Sequence, residues 1–299
     1  RSLARKLGVW RRAADAARRE GVDLIHVMCS ITSVAGLKLH LLRRRSGLPV
    51  VAHFTGVGTP HVGYRWLMAA DRVLVGGEYL RRYLPEAESI PPLSPHVAEP
   101  GAARPRDPDP ARPRRRVLFL GAMERVRGVQ TLVAALGLLR RDPAAGDFTL
   151  TIAWNGFGEP GWDAAIRAQI AGAGIEDRVE WQVGDADVPA LYRGHDVLVV
   201  PRLGGTRMSF PLRIVEAMSY GTPVVASDAG EMPRIVEGCG LVYPQGDHAA
   251  LAGALRALLT DDELYARSVR ASLARAAEFA PARTVDRIVS TYRHALHVE

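Results

Sequence analysis

Ten short runs rich in Val, Ile and Leu punctuate this chain, and longer amphipathic stretches separate most of them. In the first part the runs are VDLIHVM (22–28), LPVVAHF (48–54), DRVLVGG (71–77) and the weaker ESIPPL (88–93). In the second part they are RVLFLG (116–121), FTLTIAW (148–154), RVEWQV (178–183), DVLVVP (196–201), TPVVAS (222–227) and CGLVYP (239–244). Segments such as GVQTLVAALGLLRR and WDAAIRAQIAGAG lie between them with helical spacing. A strand that is apolar on successive residues has to be buried on both faces, and strands alternating with helices supply that cover. The pattern predicts an α/β fold of parallel sheets in Rossmann-like units.

The two sets of runs are separated by AEPGAARPRDPDPARPRRR, dense in Pro and Arg and without an apolar period. It reads as a semi-rigid linker. The expected organisation is a first domain over 1–97, a linker over 98–115 and a second domain over 116–282. An amphipathic C-terminal helix within 283–299, containing TVDRIVSTYRHAL, is expected to cross back onto the first domain. With 299 residues the chain is long enough for two such cores.

Charge and cysteine content narrow the function classes. The net charge of +7 is almost wholly arginine, Lys6 and Lys38 being the lysines. Aromatics make up 6% and do not interleave with the basic residues, so a nucleic-acid surface is poorly supported and an anionic small ligand fits the charge equally well. Cys29 and Cys239 lie far apart without metal-ligand spacing, which predicts a disulfide-free, cytoplasmic protein. The chain opens at Arg1 with no secretory signal and no apolar run of membrane-spanning length, and missing upstream sequence is expected. Leu3, Leu7 and Trp10 form one stripe of a basic helix. Packing of that stripe on its own sheet is favoured over peripheral contact with an anionic membrane face.

The chemistry concentrates in DVLVVPRLGGTRMSFPLRIVEAMSYGTPVVASDAG. A strand ends at Pro201, a loop carrying Gly204 and Gly205 follows, and a helix is expected from about Ser209, with Ser209 as cap and Pro211 in the first turn. The start of such a helix carries unpaired N–H groups and about half a positive charge, a place for phosphate or diphosphate. Glu216 lies three residues after Arg213 and four after Leu212, so it shares their side about 6 Å further along. A carboxylate there would repel phosphates but accept two hydrogen bonds from a vicinal diol such as ribose. Asp185 and Asp187 form a DAD triplet ahead of VPALY, where Asp187 reads as a helix cap, and no metal site is expected.

Four stretches carry a resemblance to a known family: VLFLGAMERVRGVQTLVAAL, IEDRVEWQVGDADVPALYRGHDVLVVP, PLRIVEAMSYGTPVVASDAGEMPRIVE and GLVYPQGDHAALAGALRALLTDDEL. Their order resembles that of the retaining GT-B glycosyltransferases of family 4, the glycogen-synthase-like and mannosyltransferase-like group. The likeness spans the second domain almost throughout. It is looser in VDLIHVMCS, LPVVAHFTG and ADRVLVGGEYLRRYLP of the first, whose opening strand and Gly-rich loop are absent here. The resemblance implies two Rossmann-like domains facing each other across a cleft, and transfer of a sugar from a nucleoside-diphosphate-sugar donor to an acceptor hydroxyl with retention. The acceptor would be a small molecule, a glycan or a lipid-linked group.

It implies a donor site drawn from Gly121, Arg127, Gln182, Val183, Arg207, Ser209, Phe210, Leu212 and Glu216. Within it Glu216 would hold the ribose, Arg127 the diphosphate, and backbone near Gln182 and Val183 the base. From nearness in sequence rather than from the resemblance, Arg207 or Arg213 would supply the remaining phosphate charge, and His53, two residues before Thr55 and so expected on the same side of the strand, would serve the chemistry with Arg127. No cofactor or metal is implied. Three positions depart from the family pattern: Met208 stands where a first acid is expected eight residues before Glu216, Ala122 where a basic residue follows Gly121, and Thr55 where a histidine precedes a glycine. A nucleotide-sugar-binding homologue or partner subunit without transfer, or a GT-B sugar-nucleotide epimerase, therefore stays open as an alternative.

Overall fold

The computed structural model describes residues 3–32, 35–58, 70–102, 116–145, 147–204 and 210–298. The chain divides into two compact units: one runs through Leu93 and takes up Phe210 and the chain from Ala282, and the other comprises the rest from Ser94 to Pro281. The segment from Ser94 therefore groups with the second unit, ahead of the position where the linker was expected to begin. Residues 103–115 of that linker lie outside the described residues.

The first unit opens with helix α1 (Leu3–Arg19), strand β1 (Ile25–Ile31), α2 (Ala35–Ser46), β2 (Val50–Val57), β3 (Arg72–Val75) and the two-residue β4 (Glu88–Ser89). Its four strands pair in parallel in chain order. Alternation along β2 sorts its side chains by face. Val50, Ala52 and Phe54 join Ala14, Leu39 and Leu42 in one core, and Val51 joins Leu74 and Ile90 in another. Trp10 packs on the first of these cores, with the Lys38 ammonium 5.8 Å from its ring centroid.

The second unit alternates strands and helices without exception from β5 to α8. The elements are β5 (Arg116–Leu120), α3 (Val129–Leu139), β6 (Thr149–Trp154), α4 (Trp162–Ala173), β7 (Val179–Val183), α5 (Val188–Gly194) and β8 (Val197–Val200). They continue with α6 (Leu212–Ser219), β9 (Val224–Ser227), α7 (Met232–Val236), β10 (Leu241–Tyr243), α8 (His248–Thr260) and α9 (Asp262–Ala276). The parallel sheet has the order β10-β9-β8-β5-β6-β7, the doubly wound arrangement. Val117, Phe119, Ile152 and Val199 point into a core completed by Leu132 and Leu136 of α3 and Leu255 of α8. Asp187 caps α5 by accepting the Ala190 N–H at 2.9 Å. Asp247 and Asp261 cap α8 and α9 in the same way.

The last helix, α10 (Pro281–Leu296), belongs to the first unit, where Ile288, Tyr292 and Ala295 close the core that contains Val51. One boundary differs from the sequence expectation. Pro211 has ψ 71°, outside the helical well, so α6 starts at Leu212 with no side-chain cap. Ser209, expected to cap it, lies outside the described residues, as do Arg207 and Met208.

Candidate functional site

In a doubly wound sheet, chain connections leave in opposite directions where the order reverses, and ligands bind outside the carboxyl ends of the strands at that point. Here the reversal falls between β5 and β8. The loop after β5 carries Gly121 and a tight turn at Arg125–Arg127, and the loop after β8 starts at Pro201. They are locked together: the Leu203 N–H donates to the Val126 carbonyl at 3.0 Å. Gly128, at φ 75°, lies so close that a Cβ would sit 1.6 Å from the Pro201 oxygen. Only a glycine can bring the two backbones this near.

Three guanidinium groups collect beside these loops. Arg213, in the first turn of α6, donates through Nη1 to the Leu120 carbonyl at the end of β5 and lies next to Gly121. Burial lowers its affinity for a proton, as it does for Arg202, which Arg127 lowers further. Arg127 is more open, with its side chain 40% exposed and its Nε 3.2 Å from Glu124. Mutual repulsion among cations at the uncapped start of a helix favours an anionic ligand.

Glu216 is buried at 5% exposure, in the second turn of α6. Its Oε1 accepts the Ser94 hydroxyl at 2.5 Å and its Oε2 accepts the Tyr192 hydroxyl at 2.7 Å. Tyr192 comes from α5 and Ser94 from the chain that follows β4. Neither carried a signal in the sequence, because their partner is 24 and 122 residues away.

The remaining expected residues fall elsewhere. Leu212 is the first residue of α6, beside Arg213. Gln182 lines a cavity of about 320 Å³ with Arg116, Thr151, Glu180 and His195, whose walls do not include Glu216, Arg127 or Arg213. Val183, at the end of β7, is exposed. Phe210 is buried, and its N–H donates to the Thr55 carbonyl at 3.3 Å within the first unit, so that amide is not offered to a phosphate.

His53, expected to serve the chemistry, is a buried side chain of the first unit. It is 1% exposed, on the α10 side of β2, and its Nε2–H donates to the Ile90 carbonyl at 2.8 Å. Its ring stacks on His26 at 5.6 Å between centroids, and His26 shares a 2.6 Å hydrogen bond with Tyr292 of α10. Burial pushes the His53 imidazole down to about 4, so it stays neutral.

Among the described residues no group of three or more His, Cys, Asp or Glu is placed to hold a metal ion, and no helix is long and apolar enough to cross a membrane. The family described as glycosyl transferases group 1 matches residues 114–261. A phosphatidyl-myo-inositol mannosyltransferase of Mycobacterium leprae is 40% identical over 159 residues, 52% of this chain and 40% of that protein, so the chain spans about two fifths of that relative's length. A D-inositol 3-phosphate glycosyltransferase 1 of Catenulispora acidiphila is 31% identical over 300 residues, 94% of this chain and 68% of that one. The crystal structure of Anabaena Alr3699/HepE in complex with UDP-glucose superposes with a TM-score of 0.77 at 19% identity, over 98% of this chain and 84% of that one, which shows the GT-B fold. On the strength of the relationship that runs nearly the whole length of the chain, this protein belongs to the group 1 glycosyl transferases.

Proposed function

We propose that this chain binds a nucleoside-diphosphate sugar and transfers the sugar, with retention of configuration, to an acceptor hydroxyl. The observation that carries the reading is the grouping at the β5–β8 switch point. A buried carboxylate with acceptor capacity to spare lies one turn beyond an uncapped helix start flanked by Arg127, Arg202 and Arg213. A nucleoside diphosphate has the matching halves, an anionic diphosphate and a ribose diol.

In the proposed reaction the bond from the anomeric carbon to the β-phosphate oxygen breaks and its electron pair leaves with the oxygen. The acceptor oxygen bonds to the same face of the sugar, and its proton passes to the departing phosphate. Arg127 and Arg213 would stabilise the charge that grows on the diphosphate, a task that otherwise falls to a metal ion. No metal cofactor is therefore proposed, and chelator is expected to leave turnover unchanged. The two curated relatives are named for inositol-bearing molecules. An inositol phosphate and phosphatidylinositol are accordingly the first acceptors to try.

The test is calorimetric titration of UDP, GDP and ADP, and of their common sugar conjugates, into the protein and into Glu216→Ala. The reading expects one nucleotide series to bind and Glu216→Ala to weaken it about 10- to 100-fold. Equal affinity in both proteins sinks it. The burial of His53 beneath α10 favours a second reading, a homologue that binds the donor without transferring it. Binding with no turnover in the presence of inositol-bearing acceptors, glycans and lipid-linked acceptors supports that reading instead.

A further inference from the structure

The hydroxyls on Glu216 are set so that each has one direction to point. Ser94 Oγ accepts the His96 N–H at 3.2 Å, which leaves its single proton for the carboxylate. Tyr192 is fully buried, its ring stacked on Tyr220 at 5.8 Å and its backbone carbonyl held by the Thr222 hydroxyl at 2.8 Å. Burial first, and Glu216 after it, raises the tyrosine's affinity for its proton, so the hydroxyl remains a donor. Both contacts have the length of an O–H donating to a carboxylate, 2.5 to 2.7 Å.

A second clip sits one turn along. The Ser219 hydroxyl donates to the Glu216 carbonyl at 2.7 Å and accepts the Ala98 N–H at 2.9 Å. The chain from Ser94 to Ala98 is thus fastened to α6 at both ends of the turn that carries Glu216.

A carboxylate offers about four acceptor positions, two per oxygen. Among the described residues, Tyr192 and Ser94 fill one on each oxygen, leaving one on each. Two vacant positions on the two oxygens of a fixed carboxylate match the spacing of two neighbouring hydroxyls. A carboxylate free to rotate would lose part of that match to entropy on binding.

We propose that Tyr192 and Ser94 are positioning residues that fix Glu216 for a vicinal diol and so make the site select a ribonucleotide over one lacking the 2′- and 3′-hydroxyls. The proposal rests on the donor reading above, in which Glu216 meets the ribose. Neither residue touches the ligand, and both act through the orientation of the carboxylate.

The experiment compares UDP, GDP and ADP with their 2′,3′-dideoxy counterparts by calorimetry. The proteins are the unmodified chain, Glu216→Ala, Tyr192→Phe, Ser94→Ala, the double variant and Ser94→Thr, each with its melting temperature recorded. In the unmodified chain the ribonucleotide is expected to bind about 10- to 100-fold more tightly than the dideoxy form. Tyr192→Phe and Ser94→Ala should each lower that ratio about 3- to 10-fold, and the double variant should approach Glu216→Ala. Dideoxy affinity should stay constant throughout, and Ser94→Thr, which keeps the hydroxyl, should retain the ratio.

If Glu216→Ala abolishes the ratio while Tyr192→Phe and Ser94→Ala keep it, positioning is wrong and the ribose contact stands. An unchanged ratio in Glu216→Ala overturns the donor reading itself, as does an unmodified chain that binds none of the three. Equal loss of both nucleotide forms in Tyr192→Phe and Ser94→Ala would mean a merely structural role, and would overturn the proposal.

Discussion

Each unit holds a polar cluster against its parallel sheet, and two of these clusters differ in what they leave open. In the first unit, His53 of β2, His26 of β1 and Tyr292 of α10 come together, and burial resists the charge that either imidazole would acquire. In the second, Glu216 is held by two hydroxyl donors on α5 and the Ser94 segment, with acceptor positions to spare and arginines nearby. Each centres on one buried, hydrogen-bonded side chain, His53 or Glu216. What makes the second the candidate site is its place one turn into a helix that leaves the sheet's switch point, whereas His53 sits mid-strand beneath a helix.

The largest expected effect tests how rigidly the second cluster is framed. Gly128→Ala puts a methyl group on the Pro201 carbonyl and forces a side chain to φ 75°. A loss of about 3 to 4 kcal/mol in stability is expected from urea unfolding. A loss below about 1 kcal/mol would show that the two loops yield easily, and that Arg127 is not fixed by them.

Next comes a cross-test of the clusters. Glu216→Ala should weaken nucleotide binding about 10- to 100-fold, while His53→Gln should leave it within about a factor of two. The reverse result would restore His53 to the site and break the contrast.

Acid should separate them a third way. His53 titrates near 6.5 when unfolded and at about 4 when folded, so below about pH 6.5 the unfolded chain takes up a proton that the folded chain refuses. Stability present above that pH is lost as the pH falls towards 4, on the order of 2 kcal/mol by about pH 5. His26 and His195 are lowered by burial too and lean in the same direction. His53→Gln should therefore flatten the pH dependence of the urea midpoint without abolishing it. An unchanged slope would show that His53 is protonated in place.

The smallest effect concerns the edge of the first unit. Arg287 of α10 donates to Glu88 at 2.9 Å and to the Ser89 carbonyl at 2.7 Å, with both charged side chains about half exposed. Arg287→Ala should cost less than about 1 kcal/mol by thermal unfolding. A larger loss would make this contact, rather than the apolar seam of Ile288 and Ala295, the main attachment of α10.

Much of the fold was legible because a strand buried on both faces announces itself locally. Each of the ten apolar runs holds a strand, and Asp187 caps α5 as its spacing required. The start of α6 was misplaced by three residues, since Pro211 is compatible with a first helical turn and the sequence alone does not reveal its ψ. Glu216 was legible as an acid a turn behind a helix start, and its burial was not. Its donors were not, because a hydroxyl 122 residues away leaves no period to read. The burial of His53 was illegible for the same reason: the helix that covers its face of the sheet follows the whole second unit in the chain.

That returning helix sets an order of events during synthesis. The first unit is translated first, yet one face of its sheet, with His26 and His53, waits for α10 at the far end of the chain. The second unit's strands and their covering helices all emerge in between. Domains that are contiguous can fold as they leave the ribosome, so here the half made earliest is finished last, and the nascent chain carries an uncovered sheet face past a completed neighbour.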